Sequence, residues 1–332
     1  EAGFGIISHL IEYSESSTYG RAFLVGLLNT LLVTFVGIVL ATLLGLILGV
    51  ARLSNNWLIS RLAQTYVEVI RNIPLLLQIF FWYFAVLRSL PSPRQSIHWG
   101  ELFFLNNRGA YLPAPIAEPG SGWAGWALLL AILVTVILFR WARLRQHQTG
   151  KTFPRWRVAL GLMVALPLLA LAVKGFPLGW ELPELKGFNF KGGWVMIPEL
   201  MALVTALSLY TASYIAEIVR AGIQAVNRGQ SEAAQSLGLS QGQTLRLIIL
   251  PQALRVIIPP LTNQYLNLLK NSSLAAAIAY PEVVSVFAGT VLNQTGQAVE
   301  VIGITMGVYL LISLSISLFM NRYNRRMKLV ER

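Results

Sequence analysis

The chain has 332 residues and no cysteine, so disulfides, thiol nucleophiles and thiolate metal sites are excluded. Histidine is nearly missing too, and His9, His98 and His147 stand too far apart to give the spacing of a metal ligand set. Charged residues make up only 12% of the chain against 55% hydrophobic, too few to cover the surface of a soluble fold. The tripeptide Gly150-Lys151-Thr152 hints at a phosphate loop, but the glycine required five residues earlier is Arg145 and no strand precedes it. No other nucleotide fingerprint is present, and the chain is expected to carry out no covalent chemistry of its own.

What the sequence does contain is apolar runs, several long enough to cross a bilayer at about 20 residues each. Seven spans are expected, over residues 22–51, 63–88, 124–140, 157–174, 195–219, 254–272 and 298–320. The fold class is therefore all-α, a polytopic helical membrane protein. Its parts are an outer N-terminal segment (1–21), two core spans (22–90), an insert with an outer loop and two extra spans (91–194), and further core spans with a basic tail (195–332). The net charge of +12 does not point to nucleic acid, because the cations collect in particular loops. Arg140, Arg143, Arg145, Lys151, Arg155 and Arg157 share one such loop, and Arg52, Arg61, Arg220, Arg228, Arg246, Arg255 and the tail at 321–328 fall on the same side. That side is cytoplasmic by the positive-inside rule, which puts Glu1 outside. Residues 1–20 have neither the charged start nor the cleavage site of a signal peptide, and upstream sequence is expected because no methionine begins the chain.

Within the spans, small and polar residues mark contacts. Ala41, Gly45 and Gly49 recur every four positions, as do Ser208, Ala212 and Ala216, two stripes that let helices approach closely inside the subunit. Glu68 with Arg71, and Glu217 with Arg220, stand three apart on one helical face and are expected to pair. Pro74 frees a backbone carbonyl inside the second span. Asn263, Asn267 and Lys270 follow Pro259 and Pro260 on one helical face, too polar for lipid, and either line a substrate cavity or bond neighbouring helices. Residues 91–123, rich in proline and glycine, read as an exposed loop, and 275–292 as a packed or re-entrant helix.

Residues 231–252 form a polar elbow between two spans. Ser231 is suited to an N-cap with Glu232 at the positive helix end, Ala233, Ala234 and Leu237 continue the helix, and Gly238 can take the left-handed conformation that ends it. After Leu239 a second helix starts at Ser240, with Gln243 three residues on as a capping box, and Pro251 should interrupt it.

This stretch resembles the Glu-Ala-Ala loop of ABC importer permeases, in the order Glu232, Ala233, Ala234, Gly238, then Ile248, Leu250, Pro251, Gln252 and Ala253. More narrowly, LPQALRVIIPPLTNQY (250–265), KNSSL (270–274), YVEVIRNIPLLLQ (66–78) and YIAEIVRAGI (214–223) resemble the polar amino acid uptake family over residues 20–90 and 195–325. The extra spans resemble those of the enlarged permeases of broad-range amino acid importers. The resemblance implies a type I ABC importer transmembrane domain in a bacterial inner membrane, with the elbow and C-terminus cytoplasmic. Ser231, Glu232, Ala233, Ala234, Leu237, Gly238 and Leu239 would be the coupling segment seated in an ATPase.

It also implies an ABC ATPase dimer that carries ATP and Mg, a second homologous permease or second copy, and a soluble amino-acid-binding protein; this chain itself holds no cofactor. Asn72, Pro74, Gln78 and Ser272 in the matching segments join Asn29, Thr30, Asn263, Asn267 and Lys270 as substrate-path candidates. Threonine usually precedes the proline in this family, and its replacement by Ile73 puts one polar contact in doubt. The rival reading is an ion-coupled secondary amino acid transporter, which calls for an ionisable residue or carbonyl-lined break near the midplane. Glu68 and Glu217 instead lie at inner ends, with Glu199 and Glu282 toward the outer side. Acidic and neutral polar amino acids are the expected cargo.

Overall fold

The computed structural model describes residues 2–8, 10–118, 122–150, 153–173, 175 and 178–327. Of the positions singled out above, Glu1, His9, Lys151, Thr152 and Lys328 lie outside the described residues, as do 119–121 of the 91–123 stretch. The chain divides into two units, Glu1–Leu90 with Ile197–Arg332, and Pro91–Met196.

In the first unit, α1 (Tyr19–Ala51) starts where the Thr18 side chain accepts a hydrogen bond from the Arg21 amide. It packs along α6 (Pro198–Gln224), the most buried span of the molecule, with 61% of its apolar window inside. Both small stripes belong to this seam. A Cβ added at Gly45 would lie 2.6 Å from Ile215, and one at Gly49 would lie 2.7 Å from Val219 and 2.8 Å from the carbonyl of Ala216. The absence of side chains at two positions on α1 is thus what allows contact with the α6 backbone. On another side of α6 lies α9 (Leu250–Asn271), where Ile257 occupies the space a side chain at Gly222 would need. Ala41, Ile215, Val219, Ala253, Ile257 and Leu268 form one core between these three helices.

Toward the C-terminal end of the seam Glu217 pairs with both Arg220 and Arg52, so the expected local pair is real and has a third member at the C-cap of α1. The other expected pair does not form. Gln64 donates to Glu68 at 2.7 Å, while the Arg71 guanidinium lies 4.8 Å from the centre of the Tyr214 ring. A helical i,i+3 pair is worth only a few tenths of a kcal/mol, about 0.2–0.5, and an aromatic face competes with it.

The span expected over 63–88 is not one straight helix. α2 (Trp57–Asn72) and the helical run Leu75–Leu87 meet at 104°, with Ile73 extended between them. The first turns of that run are α3 (Leu75–Phe80), and Phe81–Leu87 continue it as a π-helical turn. Proline disfavours helical geometry in the residue before it, which accounts for the site of the break. Among the described residues six helices are long and apolar enough to cross a membrane, and the bent pair makes a seventh span if counted as one. After α9, a 3-10 turn (Ser272–Ile278), a left-handed Ala279 and a π-helical turn (Val284–Val291) lead through α10 (Leu292–Thr295) into α11 (Ala298–Met327). The middle of this passage packs on α1, where a Cβ at Gly26 would stand 3.3 Å from the Val283 backbone.

The second unit overturns the expectation of an irregular 91–123 loop. Four short strands form there, β1 (Ile97–Trp99), β2 (Phe103–Asn106), β3 (Gly109–Leu112) and β4 (Ala114–Ala117). Four more follow later in the chain: β5 (Leu178–Glu181), β6 (Glu184–Lys186), β7 (Asn189–Lys191) and β8 (Trp194–Met196). β1-β2-β3-β8 make an antiparallel sheet, with β4 paired to β5 and β6 to β7. Phe190 stacks between Phe104 and Tyr111, at 4.6 and 5.0 Å, and the Tyr111 hydroxyl donates to Asn189 at 2.9 Å. Between the two strand groups, α4 (Gly122–Thr149) and α5 (Arg155–Val173) form a hairpin with only 11% and 6% of their apolar windows buried.

Replacing Gly45 by valine should lower stability by roughly 2–3 kcal/mol, the cost of overpacking a close contact. Gly303→Val is the matched control, since a Cβ at Gly303 meets nothing within 4 Å. Thermal unfolding of the purified protein in detergent checks this: only the first variant should melt several degrees earlier.

Candidate functional site

The elbow begins one turn earlier than its sequence suggests. α7 (Arg228–Ser236) is capped by Asn227, whose side chain accepts from the Gly229 amide at 2.8 Å, so Ser231 is an interior helical residue and not the N-cap. The end of α7 follows from Gly238. At φ +76° it lets its own amide reach the Gln235 carbonyl at 2.9 Å and the Leu239 amide reach the Ala234 carbonyl at 3.1 Å, the paired bonds of a Schellman motif. α8 (Gln241–Thr244) then opens with the expected capping box. The Ser240 amide donates to Gln243 at 2.9 Å, and the Gln243 amide donates to the Ser240 hydroxyl at 3.3 Å.

Pro251 does not stop this second helix. A π-helical turn at Leu245–Ile249 widens the backbone just before the proline, which sits at the start of α9 where its missing amide is tolerated. Helical structure consequently runs without a break from Gln241 to Ile278. α7 leans back on this rod: Ala234 is buried against it, and Gln252 donates to Gln230 at 3.3 Å. Glu232 and Ala233 face outward, Leu239 is half-buried, and Leu237 is 81% exposed, an apolar knob at the tip of the turn. On α8 and the turn that follows it lies a depression of about 430 Å³ lined by Ser240, Gly242, Gln243, Arg246 and Leu247.

Further along the rod, Val256, Pro259, Pro260, Asn263, Asn267 and Lys270 are all exposed, at the spacing of one helical face, whereas Ala253, Ile257, Leu261 and Leu268 on the other face are buried. None of the side chains of Asn263, Asn267 and Lys270 bonds to another described residue. Of the two readings of this stripe, bonding to neighbouring helices does not occur among the described residues of this chain.

The remaining candidates are mostly braces. Asn29 donates to the carbonyls of Pro281 and Ile7, at 2.9 and 3.2 Å. Thr30 donates to the Gly26 carbonyl at 2.9 Å and accepts from the Val283 amide at 3.2 Å. Gln78, buried, donates at 2.9 Å to both the Ile70 and Ile73 carbonyls, two acceptors left open at the α2 bend. Ser272 is buried and turns back to the Leu269 carbonyl at 2.7 Å, whereas Asn72 and Pro74 are exposed at the bend.

Sequence reasoning placed Glu282 toward the outer side and gave it no structural role. It is fully buried, and its carboxylate accepts from the amides of Val284 and Ser285 at 2.8 and 2.7 Å and from the Tyr309 hydroxyl at 3.0 Å. An acid directly before an apolar helical run, preceded by proline, is the signal that could have marked it as a cap.

Comparison with known proteins places this architecture. Residues 156–329 match the model of the family described as binding-protein-dependent transport system inner membrane component. Over its whole length the chain is 60% identical to YhdX of Escherichia coli strain K12, named as an amino-acid ABC transporter permease protein, and covers 84% of it. It is 54% identical to the general L-amino acid transport system permease protein AapQ of Rhizobium johnstonii, covering 82% of that protein. The glutamate/glutamine/aspartate/asparagine transport system permease protein BztB of Rhodobacter capsulatus is 44% identical, with all of this chain and 84% of BztB covered. Among solved structures, an amino acid ABC transporter crystallised with histidines aligns over 93% of this chain and 95% of its own, with a TM-score of 0.55 at 23% identity. An inward-facing MetNI methionine transporter aligns over 95% of this chain and 100% of its own, with a TM-score of 0.51 at 15% identity. These two likenesses establish the type I permease fold. With more than half of its length matched by the family model and whole-length relatives above half identity, the chain belongs to the binding-protein-dependent transport system inner membrane components, as an amino-acid ABC transporter permease.

Proposed function

We propose that this permease imports acidic and neutral polar L-amino acids, and that the rod from Gln241 to Ile278 mechanically links a partner ATPase to the substrate path. The observation that carries the reading is continuity. One unbroken helical segment has the exposed Leu237 turn at its head and the exposed Asn263, Asn267 and Lys270 along its shaft. A displacement of the elbow is transmitted to that polar face with little loss, because α7 is tied to the rod by Ala234 and Gln252. The chain would work with an ABC ATPase dimer that binds ATP and Mg, with a second permease copy or homologue, and with a soluble amino-acid-binding protein.

The polar face suits a zwitterion. Lys270 offers an ammonium group to a carboxylate, and the two asparagine amides offer both donors and acceptors. The cargoes in the name of BztB, glutamate, glutamine, aspartate and asparagine, support acidic and amide amino acids for this chain, and AapQ is named for L-amino acids in general. Membership of the ABC permease family displaces the ion-coupled alternative, and the carboxylate of Glu282 is already occupied by two amides and a phenol.

Three measurements test this. Leu237→Asp or Ala233→Arg should leave the protein inserted and monodisperse while weakening retention of the ATPase on the order of thirtyfold or more, as expected for loss of an apolar anchor. Substituting the buried Ala234 would test packing of the elbow instead. Normal import by both outward-facing variants would refute the docking reading.

Asn267→Leu and Lys270→Leu should weaken amino acid uptake in proteoliposomes by on the order of tenfold, the loss of a hydrogen bond to a charged group, with the complex intact. If instead assembly is lost and surviving transport keeps its affinity, the face binds protein rather than substrate.

For orientation, single cysteines at Gln148 and Gly242 should react with impermeant maleimide only from the cytoplasm, and one at Lys186 only from outside. The chain has no native thiol to confuse the result. Labelling of Gln148 and Lys186 from the same side would overturn the topology.

A further inference from the structure

The joined ends of α4 and α5 carry a positive charge far larger than pairing inside the unit can absorb. Between Glu118 and Glu181 there is no acidic residue at all. Among the described residues the ion pairs are Arg52 and Arg220 with Glu217, and Lys186 with Glu184, so Arg140, Arg143, Arg145, Arg155 and Arg157 have no carboxylate partner. The positive-inside rule explains that cations gather here, but not how they are held. Two of them are held by aromatic faces. The Arg145 guanidinium lies 5.2 Å from the centre of the Trp141 ring, and that of Arg155 lies 5.9 Å from Phe139.

The same rings lock the two helices together: Phe139 meets Trp156 edge to face at 4.9 Å, and Trp141 meets Phe153 in the same way at 5.4 Å. Stacking fixes a guanidinium in position yet leaves the N–H groups around its edge free, and that edge matches a phosphate. Arg155 and Arg157 also occupy the first turn of α5, the end where a helix dipole repels cations and attracts anions. This arrangement works against the helix unless an anion is bound.

The class of anion follows from the surroundings. Leu144 and Leu160, beside these arginines, are 62% and 68% exposed, and the apolar lengths of both helices are almost entirely uncovered. A free phosphate would satisfy only the guanidiniums, whereas an acyl chain would also cover the aliphatic surface. We propose that the α4–α5 junction binds the phosphate headgroup of an anionic phospholipid, with Arg145 and Arg155 as its oriented ligands and Arg140, Arg143 and Arg157 supplying field.

The test uses the complete transporter, purified in detergent and mixed with equal amounts of phosphatidylglycerol and phosphatidylcholine, with bound lipid counted by native mass spectrometry. Wild-type protein should retain phosphatidylglycerol preferentially. Arg145→Gln/Arg155→Gln should lower that retention on the order of 30-fold, about fivefold for each arginine near a membrane surface, and leave phosphatidylcholine unchanged. Arg145→Lys/Arg155→Lys, which keeps the charge but not the fork, should give an intermediate loss. Should the glutamine variant fail to insert, the wild type still decides the matter, because its preference must fall steeply between 0.05 and 0.5 M salt, both test conditions. Equal retention of the two lipids, or no effect of substitution or salt, overturns the proposal. Complete displacement by inorganic phosphate would mean a free-anion site instead. Unchanged lipid retention with loss of the ATPase from the variant would mean an acidic protein surface.

Discussion

Two missing side chains on α1 determine how the first unit is built. At Gly45 and Gly49 the helix presents bare backbone, and α6 settles against it with Ile215 and Val219 where side chains would otherwise stand. In a bilayer no hydrophobic force pushes helices together, since lipid is as apolar as leucine, so close van der Waals contact must supply the attraction. Once α6 is seated, its other side receives α9 through Gly222, and Glu217 near its C-terminal end is brought within reach of Arg52. The rod that carries the elbow and the polar face is therefore positioned, at one remove, by glycines on the first helix.

Backbone polarity imposes the second constraint. A carbonyl freed by proline inside a membrane protein needs a partner, and the chain answers differently at each break. At the α2 bend a buried glutamine, Gln78, takes up two carbonyls with one amide group. At Pro251 the helix widens to a π turn and continues. At the passage between α9 and α11 Asn29, Thr30 and Glu282 bond to the backbone of residues 281–285. Polar residues that looked available for cargo are, at these places, committed to repairing the main chain. The stripe on α9 differs because its side chains remain exposed and unbonded to other described residues.

The second unit obeys other rules. Its strands are three or four residues long and held by cross-strand aromatic contacts such as Phe104, Phe190 and Tyr111. The proline and glycine content that suggested an irregular loop serves here to turn the chain between strands. Gly193, at φ +71°, lies where the Leu112 carbonyl leaves no room for a Cβ. Strands this short have too little alternation to be seen against their turns, and their pairing joins residues almost ninety apart, as Ala110 does with Met196.

By itself the sequence determined what depends on a few neighbouring residues or on apolar length: the spans, the capping box at Ser240 and Gln243, the left-handed stop at Gly238, the small-residue stripes, and the pairing of Glu217 with Arg220. Each of these is settled within one or two helical turns, by local hydrogen bonds or by transfer of a continuous apolar run. Tertiary structure alone decided the partners that come from distant segments. Arg52 joins Glu217, Arg71 leaves Glu68 for Tyr214, Gln78 turns inward to the bend, and Ala234 is covered while Leu237 is left bare. A side chain with several possible partners of similar energy is assigned only when helix packing fixes which of them is within 3 Å, and that geometry is a property of the whole assembled unit.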